Sequence, residues 1–277
     1  MMEEAKATSF DELRNRIAEA RETMPKRLVQ AAGYVLAHPD DTALGTAASI
    51  AKSADVQPST LVRLAHHLGY DGFSDLQLVF RDRLKTRAST YEERLHNLES
   101  DNDPEAIEAT LLGGFISAAR RSIDGLEANL DPGQFTRATE VLAGADTIYL
   151  IARRRSFPLT AQMAYAFAKL GIRNMMVNSA IGISDEILAQ ATSGDAAVIC
   201  SFSPYAPETI AQAGYLAERQ IPFVAITDSA MSPLCKGASV WLEVSETDFA
   251  GFRSISASMA VAAALPVSVA ERRRKNS

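Results

Sequence analysis

The sequence has little cysteine, histidine and tryptophan, and it has no long apolar run. Its two cysteines, Cys200 and Cys235, have no ligand-like neighbours, so neither a disulfide framework nor a metal site is supported. No uninterrupted apolar stretch reaches the ~18 residues that a membrane-spanning helix needs. The acidic start MMEEAKATSFDEL also lacks the basic and then apolar layout of a secretion signal. We therefore expect a cytoplasmic protein with no membrane contact, no metal and no cofactor.

The composition is otherwise that of an ordinary globular protein. Its 277 residues are comfortable for two domains, with 47% hydrophobic and 22% charged residues. The formal net charge is −6, but residues 1–90 hold 12 Lys and Arg against 12 Asp and Glu, so the acidic excess lies after residue 90. Because phosphate contacts need only a local basic surface, the negative total does not exclude a partner such as DNA.

Residues 46–73 predict two short helices around a tight turn. Apolar residues recur at three- and four-residue spacing on both sides of Asp55, which indicates one buried face on each helix. Thr46 is placed to cap the first helix, Pro58 suits the first turn of the second, and Gly69 ends it. This is the helix-turn-helix arrangement, whose second helix enters the major groove of DNA. Two amphipathic helices in an ordinary α-bundle would show the same spacing.

The second helix carries hydroxyls, an arginine and two histidines on the face that packing leaves open. These groups can contact base edges or phosphates, whereas in a plain α-bundle they would be only solvated side chains. The residues that we expect to contact DNA are Thr46, Gln57, Ser59, Thr60, Arg63, His66 and His67.

The run SIAKSADVQPSTLVRLAHHLGYDGF resembles the N-terminal domain of RpiR-family bacterial transcriptional regulators. The matching phrases lie at residues 50–51, 55–57, 59–61, 63–64 and 68–73. One departure is Gln57, which stands where the family usually has the serine that caps the recognition helix. The resemblance implies that the first domain binds double-stranded operator DNA.

The rest of the first part is also predicted to be helical. Helical spacing over residues 10–37 predicts one long helix, or two if Pro25 breaks it, and residues 38–41 are expected to end it. Residues 73–86 predict a further helix with a basic run that either contacts DNA or forms a solvated helix end; the run is Arg81, Arg83, Lys85 and Arg87. We expect an all-α domain over residues 1–90 and an acidic linker over 91–104.

Beyond the linker, strand-like and helix-like segments alternate. After helices from residue 105 and over 135–142, short apolar runs predict five strands at 147–152, 174–177, 196–200, 222–227 and 240–244. The predicted intervening helices lie at 157–170, 184–190 and 207–218, with a turn or short helix at 232–236, a last helix at 251–269 and a frayed tail ERRRKNS. Alternation of this kind predicts a doubly wound, five-stranded parallel sheet in an α/β domain over residues 105–277.

Three loops that follow strand ends carry hydroxyl groups. Hydroxyls and backbone N–H groups at helix starts form anion cradles, although each serine or threonine alone is more often a helix cap. Because parallel strands end at one edge of the sheet, we expect these side chains to form an effector site: Arg153, Arg154, Arg155, Ser156, Ser201, Ser203, Tyr205, Thr209 and Thr227.

Residues 147–265 resemble the sugar isomerase (SIS) domain, which binds phosphosugars. The family's serine-rich loop aligns with residues 201–209, and its late phrase with 226–228 and 232–234. The resemblance implies that Ser156, Ser201 and Ser203 hold a phosphate. The loop glycine is replaced by Pro204 and a phosphate-binding threonine by Ala206.

Three arginines replace the glycine-rich turn before Ser156. Because arginine grips phosphate or carboxylate with two hydrogen bonds, one or more of Arg153, Arg154 and Arg155 are expected to supply the missing anion contact, for a phosphosugar or a sugar acid. The alternative is that these arginines face solvent or a partner subunit.

Nothing in the sequence argues strongly for catalysis. Proton transfer in a sugar isomerase needs a positioned base, and the candidates are Glu208 and Glu243. We predict a homodimeric or tetrameric transcriptional regulator whose DNA binding responds to a small anionic sugar derivative. The alternative is a phosphosugar isomerase with an accessory helical domain.

Overall fold

The computed structural model describes residues 6–21, 23–88, 107–179 and 181–276. The chain divides into two compact units, Met1–Ile107 and Glu108–Ser277. The linker predicted at 91–104 lies outside the described residues.

The described part of the first unit is helical. Its helices are α1 (Phe10–Ala20), α2 (Lys26–Ala37), α3 (Pro39–Leu44), α4 (Ala47–Ser53), α5 (Pro58–His67) and α6 (Phe73–Ala88). The version with one helix over residues 10–37 is wrong, because Pro25 lies at the N-cap of α2 and separates it from α1. The expectation that residues 38–41 only end a helix is also wrong, because Pro39 begins α3.

The helix-turn-helix geometry follows from three local features. Thr46 caps α4 by accepting a hydrogen bond from the backbone N–H of Ser49 at 3.1 Å. Asp55 in the turn has φ 52°, a left-handed conformation that aspartate tolerates better than most residues. Gly69, with φ 84°, ends α5, and the N–H of Tyr70 donates back to the carbonyl of Ala65 at 2.9 Å.

The second unit contains a five-stranded parallel sheet. Its strands are β1 (Ile148–Ala152), β2 (Asn174–Met176), β3 (Ala196–Cys200), β4 (Phe223–Thr227) and β5 (Val240–Glu243), in the order β2-β1-β3-β4-β5. A two-stranded antiparallel hairpin follows, formed by β6 (Asp248–Phe249) and β7 (Phe252–Arg253). The predicted doubly wound sheet is confirmed.

Helices cover both faces of this sheet. They are α7 (Ile107–Asn129), α8 (Pro132–Ala143), α9 (Phe157–Lys169), α10 (Ser184–Leu188), α11 (Pro207–Glu218) and α12 (Ser256–Asn276). Residues of α8, α9 and α12 share one apolar core with the sheet, and residues of α10 and α11 share the other. None of the helices within the described ranges is long and apolar enough to cross a bilayer.

The C-terminal segment differs from its prediction at both ends. The last helix begins at Ser256 because the preceding residues form the β6–β7 hairpin, and it continues to Asn276. The tail is therefore not frayed: Arg272 pairs with Glu140, and Arg273 donates to the carbonyl of Ala145. The hairpin packs closely on α7, because a Cβ on Gly114 would lie 2.3 Å from the ring of Phe249.

Candidate functional site

The exposed face of α5 is polar and has few internal partners. Leu61, Leu64 and Ala65 are buried on its inner face. On the outer face Ser59, Arg63, His66 and His67 are exposed and Thr60 is half-buried. Within the described ranges, the side chains of Ser59, Thr60, Arg63 and His67 form no hydrogen bond, while His66 Nε2 lies 3.1 Å from the carbonyl oxygen of Asp71.

Thr46 and Gln57, which are predicted to contact DNA at the starts of α4 and α5, differ in whether the side chain caps its helix. Thr46 already uses its hydroxyl to cap α4. Gln57 is exposed at the N-cap of α5 and makes no side-chain capping bond. Gln57 therefore does not replace a capping serine, and Pro58 begins the helix without a side-chain cap.

Two arginines of the predicted basic run make contacts inside the first unit. Arg81 Nε donates to the carbonyl of Ala43 at 3.1 Å. Arg83 lies 3.4 Å from the Asp40 carboxylate and stacks over the ring of Phe10 at 4.2 Å. Neither is simply a solvated helix end. The side chains of Lys85 and Arg87 lie outside the described residues.

In the second unit, several of the predicted effector residues lie in the loops at the end of the crevice between β1 and β3. The chain runs from β1 outward to β2, and from β3 in the opposite direction to β4 and β5. The loops after β1 and β3 therefore diverge toward opposite faces at this point, which is where open α/β sheets bind ligands. Ser156, Ser201 and Ser203 lie in these two loops, and all three are buried.

The three consecutive arginines do not point to one place. Arg153 Nη1 donates to the carbonyl of Val177 beyond β2 at 2.9 Å, whereas Arg155 Nη2 donates to the carbonyl of Ser203 beyond β3 at 2.8 Å. Arg154 is exposed and has φ 53°. Arg153 and Arg155 thus lie on the two sides of the crevice, and their charge favours an anion at its mouth.

Asp228 accepts hydrogen bonds that fix the conformation of the serine-rich loop, residues 201–209. Its buried carboxylate accepts hydrogen bonds from the backbone N–H of Ser203 at 3.1 Å and from the Tyr205 hydroxyl at 2.9 Å. Arg253 lies 3.8 Å from the same carboxylate and also donates to the Ser203 carbonyl at 3.1 Å. Neither Asp228 nor Arg253 is among the effector residues predicted from the sequence. Asp228 lies in the phrase that carried the SIS resemblance, but Arg253 comes from a hairpin that no local pattern predicted.

The remaining hydroxyls are more deeply placed. Ser201 Oγ accepts from the N–H of Ala206 at 3.3 Å. Thr209 and Thr227 are completely buried, and among the described residues their hydroxyl oxygens have no hydrogen-bond partner. Thr209 lies in the first turn of α11 and Thr227 at the end of β4.

Three side chains of the second unit could serve covalent or acid–base chemistry, namely those of Cys200, Glu208 and Glu243. Burial raises the pKa of the Cys200 thiol to about 12, so it stays protonated and is a poor nucleophile. Glu243 accepts a hydrogen bond from the backbone of Ala230 at 3.1 Å, whereas Glu208 is exposed at the start of α11. Across the described part of the chain, no group of acidic, cysteine or histidine side chains is arranged to hold a metal ion.

Two domain models match the sequence. Residues 11–87 match the helix-turn-helix domain of the rpiR family, and residues 141–268 match the SIS domain. The bifunctional protein glk of Paraburkholderia xenovorans is 27% identical over 244 residues, which are 88% of this chain and 36% of that protein. The transcriptional regulator HexR of Escherichia coli is 25% identical over 231 residues, 81% of this chain and 75% of HexR. The chain thus spans about a third of the length of the glk relatives that it matches.

Solved structures share the fold. NanR of Vibrio vulnificus, complexed with ManNAc-6P, has a TM-score of 0.55 at 20% identity and covers 95% of this chain and 92% of its own. The sugar isomerase domain of an RpiR transcription factor from Sphaerobacter thermophilus has a TM-score of 0.54 at 23% identity, covering 58% of this chain and 90% of its own. The chain thus carries a helix-turn-helix domain of the rpiR family followed by a SIS domain.

Proposed function

We propose that the protein binds operator DNA through α5 and that a small anionic sugar derivative, bound in the SIS domain, modulates this binding. The observation that carries the proposal is the open polar face of α5 in a helix-turn-helix domain of the rpiR family. Four of its side chains form no hydrogen bond within the described chain, namely Ser59, Thr60, Arg63 and His67, and their donors and acceptors suit base edges and phosphates.

Each DNA-contacting residue has a chemical role in this proposal. Arg63, in the middle of the exposed face, is suited to grip a guanine edge with two hydrogen bonds. Ser59 and Thr60 offer hydroxyls in the first turn of α5. The remaining four flank the helix starts or its C-terminal end and contact phosphates: Thr46, Gln57, His66 and His67.

The effector site of the proposal is the crevice between β1 and β3. Ser156, Ser201 and Ser203 offer hydroxyls or backbone groups, and Arg153 and Arg155 supply positive charge on either side. Tyr205, Thr209 and Thr227 complete the set, with Arg154 at the rim. NanR, which shares the fold, is complexed with ManNAc-6P, a sugar phosphate. We therefore propose a phosphosugar or a sugar acid as the effector class.

A dimer or tetramer would present two copies of α5 to a palindromic site one helical turn apart. The domain boundaries of the proposal are residues 1–90 for DNA binding and 105–277 for effector binding and oligomerisation, with a linker at 91–104. Effector binding would change the DNA affinity, and by thermodynamic linkage DNA would change the effector affinity by the same factor. The protein would act in the cytoplasm, where bacterial operators lie.

The test uses the full chain and genomic DNA of the bacterium that carries the gene. Bound fragments are selected and sequenced, and the affinity for the best fragment is then measured with a panel of sugar phosphates and sugar acids. The proposal expects one or a few specific sites and a panel member that changes the affinity. Uniform, salt-sensitive binding to every fragment, together with turnover of a phosphosugar, would support the isomerase alternative instead.

A further inference from the structure

A cavity of about 610 Å³ lies between α10 and α11 in the second unit. Its lining includes Arg153, Asp185, Leu188, Glu208, Gln212 and Tyr215. The volume is within the range of small-molecule sites, which combine apolar walls with a few converging polar groups. Arg153 belongs both to this lining and to the proposed effector site, so the cavity adjoins that site.

Gln212 carries an unsatisfied buried acceptor in this lining. Its Nε2 donates to a carboxylate oxygen of Asp185 at 3.2 Å, which fixes the orientation of the amide because a carboxylate can only accept. The Oε1 atom has no hydrogen-bond partner within the described chain, although Gln212 is only 5% exposed. A buried acceptor of this kind is costly when left unpaired, and a ligand O–H would satisfy it.

The charged side chains that line the cavity indicate which part of a ligand binds there. Arg153 favours an anionic group at the crevice, where α11 also begins. The carboxylates of Asp185 and Glu208 line the cavity itself and repel a second anion. Carboxylate oxygens and the Gln212 oxygen are acceptors, so they suit hydroxyl groups, which donate and accept at once.

We propose that this cavity binds the neutral, polyhydroxylated part of a sugar derivative, with one hydroxyl donating to Gln212 Oε1. Its anionic end lies at Arg153 in the crevice. The cavity thereby selects among sugar derivatives that carry the same anionic group. The identification of this ligand as the effector rests on the proposed function, but binding of a neutral polyol to the cavity does not.

The test is saturation-transfer NMR on the full chain with millimolar sorbitol. Gln212→Leu removes the acceptor at similar size, and Ala211→Trp fills the cavity from an exposed helix position that tolerates a large side chain. Gln190→Leu is the matched control, an exposed glutamine of the same unit that does not line the cavity. We expect sorbitol binding to weaken at least about fivefold in the first two variants, the loss typical of one hydrogen bond, and to persist in the control.

Absence of sorbitol binding to the wild type, or equal binding by Ala211→Trp, would overturn the inference. The outcome is independent of DNA. If sorbitol binds in the cavity but no sugar phosphate or sugar acid changes the affinity for DNA, the polyol site stands and the proposed effector control fails. If such a compound changes the affinity for DNA equally in the wild type and in Ala211→Trp, the effector control stands and the cavity is not its specificity pocket.

Discussion

The exposed face of α5 and the crevice between β1 and β3 use similar side chains in opposite ways. On α5, the side chains of Ser59, Arg63 and His67 make no internal hydrogen bond within the described chain. In the crevice, Arg155, Ser203 and Asp228 are joined by hydrogen bonds across distant parts of the sequence. Side chains that make no internal hydrogen bond can be substituted without loss of stability. Side chains that are hydrogen-bonded to one another across the crevice support the fold and are also placed to contact a ligand.

The largest effect that this comparison predicts is at Asp228. Replacing it with alanine removes the acceptor of the Ser203 N–H and the Tyr205 hydroxyl and leaves Arg253 without its carboxylate. We expect the free energy of unfolding to fall by about 3 kcal/mol, because hydrogen bonds to a buried charge are worth more than neutral ones. Urea unfolding of the wild type and Asp228→Ala measures this. A loss no larger than that of an exposed substitution would show that the crevice is not held by its internal bonds.

A second buried carboxylate, that of Asp195, lies in the same unit at the amino ends of the strands. Asp195 accepts from the N–H of Thr147 at 2.9 Å and from the N–H and hydroxyl of Thr192 at 2.8 and 2.9 Å. Burial raises the pKa of Asp195, but these hydrogen bonds outweigh it and leave the pKa below its ordinary value. We expect Asp195→Ala to lower the free energy of unfolding at neutral pH by about 2 kcal/mol.

This effect has a defined pH dependence. Because the folded-state pKa is lowered, the stabilisation by Asp195 is complete above the unfolded-state pKa and is lost as the pH falls through the folded-state value. The difference in unfolding free energy between the wild type and Asp195→Asn should therefore shrink in acid. A difference that stays constant down to the acid transition would contradict the assignment.

At the C-terminal end of α5, we expect the stability of the fold to depend on the backbone conformation of Gly69 and not on the exposed side chains. Gly69 has φ 84°, where an alanine Cβ costs about 1 kcal/mol. We expect Gly69→Ala to lower the free energy of unfolding by that amount. Gly72→Ala is the control, since a Cβ there would meet nothing within 4 Å, and we expect it to be neutral. Equal losses in both variants would show that the left-handed conformation is not the cause.

The smallest predicted effect is at the exposed residue Arg154. Its φ of 53° is unfavourable for an arginine, and glycine would relieve it while gaining freedom in the unfolded chain. We expect Arg154→Gly to raise the free energy of unfolding by less than about 1 kcal/mol. Differential scanning calorimetry measures the shift, and a clear loss of stability would show that the Arg154 side chain makes a contact that supports the fold.

Much of this architecture is predictable because its signals are local. The helix-turn-helix spacing and the five strands follow from periodic apolar residues, and both are confirmed. The hydrogen bonds that join the loops of the crevice connect residues 23 to 50 positions apart, as between Ser203 and Asp228, and no periodicity encodes them. The β6–β7 hairpin was missed because two-residue strands have no pattern, and with it the position of Arg253.

The central claim is that α5 reads DNA through a face that the fold does not use. Fluorescence anisotropy with a selected operator fragment and a scrambled one, at two salt concentrations, tests it directly. The variants are Arg63→Ala and, as a control, Arg21→Ala, which removes the same charge from an exposed position at the end of α1. We predict that Arg63→Ala loses about 10- to 100-fold in specific affinity, at a free energy of unfolding within about 0.5 kcal/mol of the wild type. Equal specific affinity in the wild type and Arg63→Ala would contradict the claim.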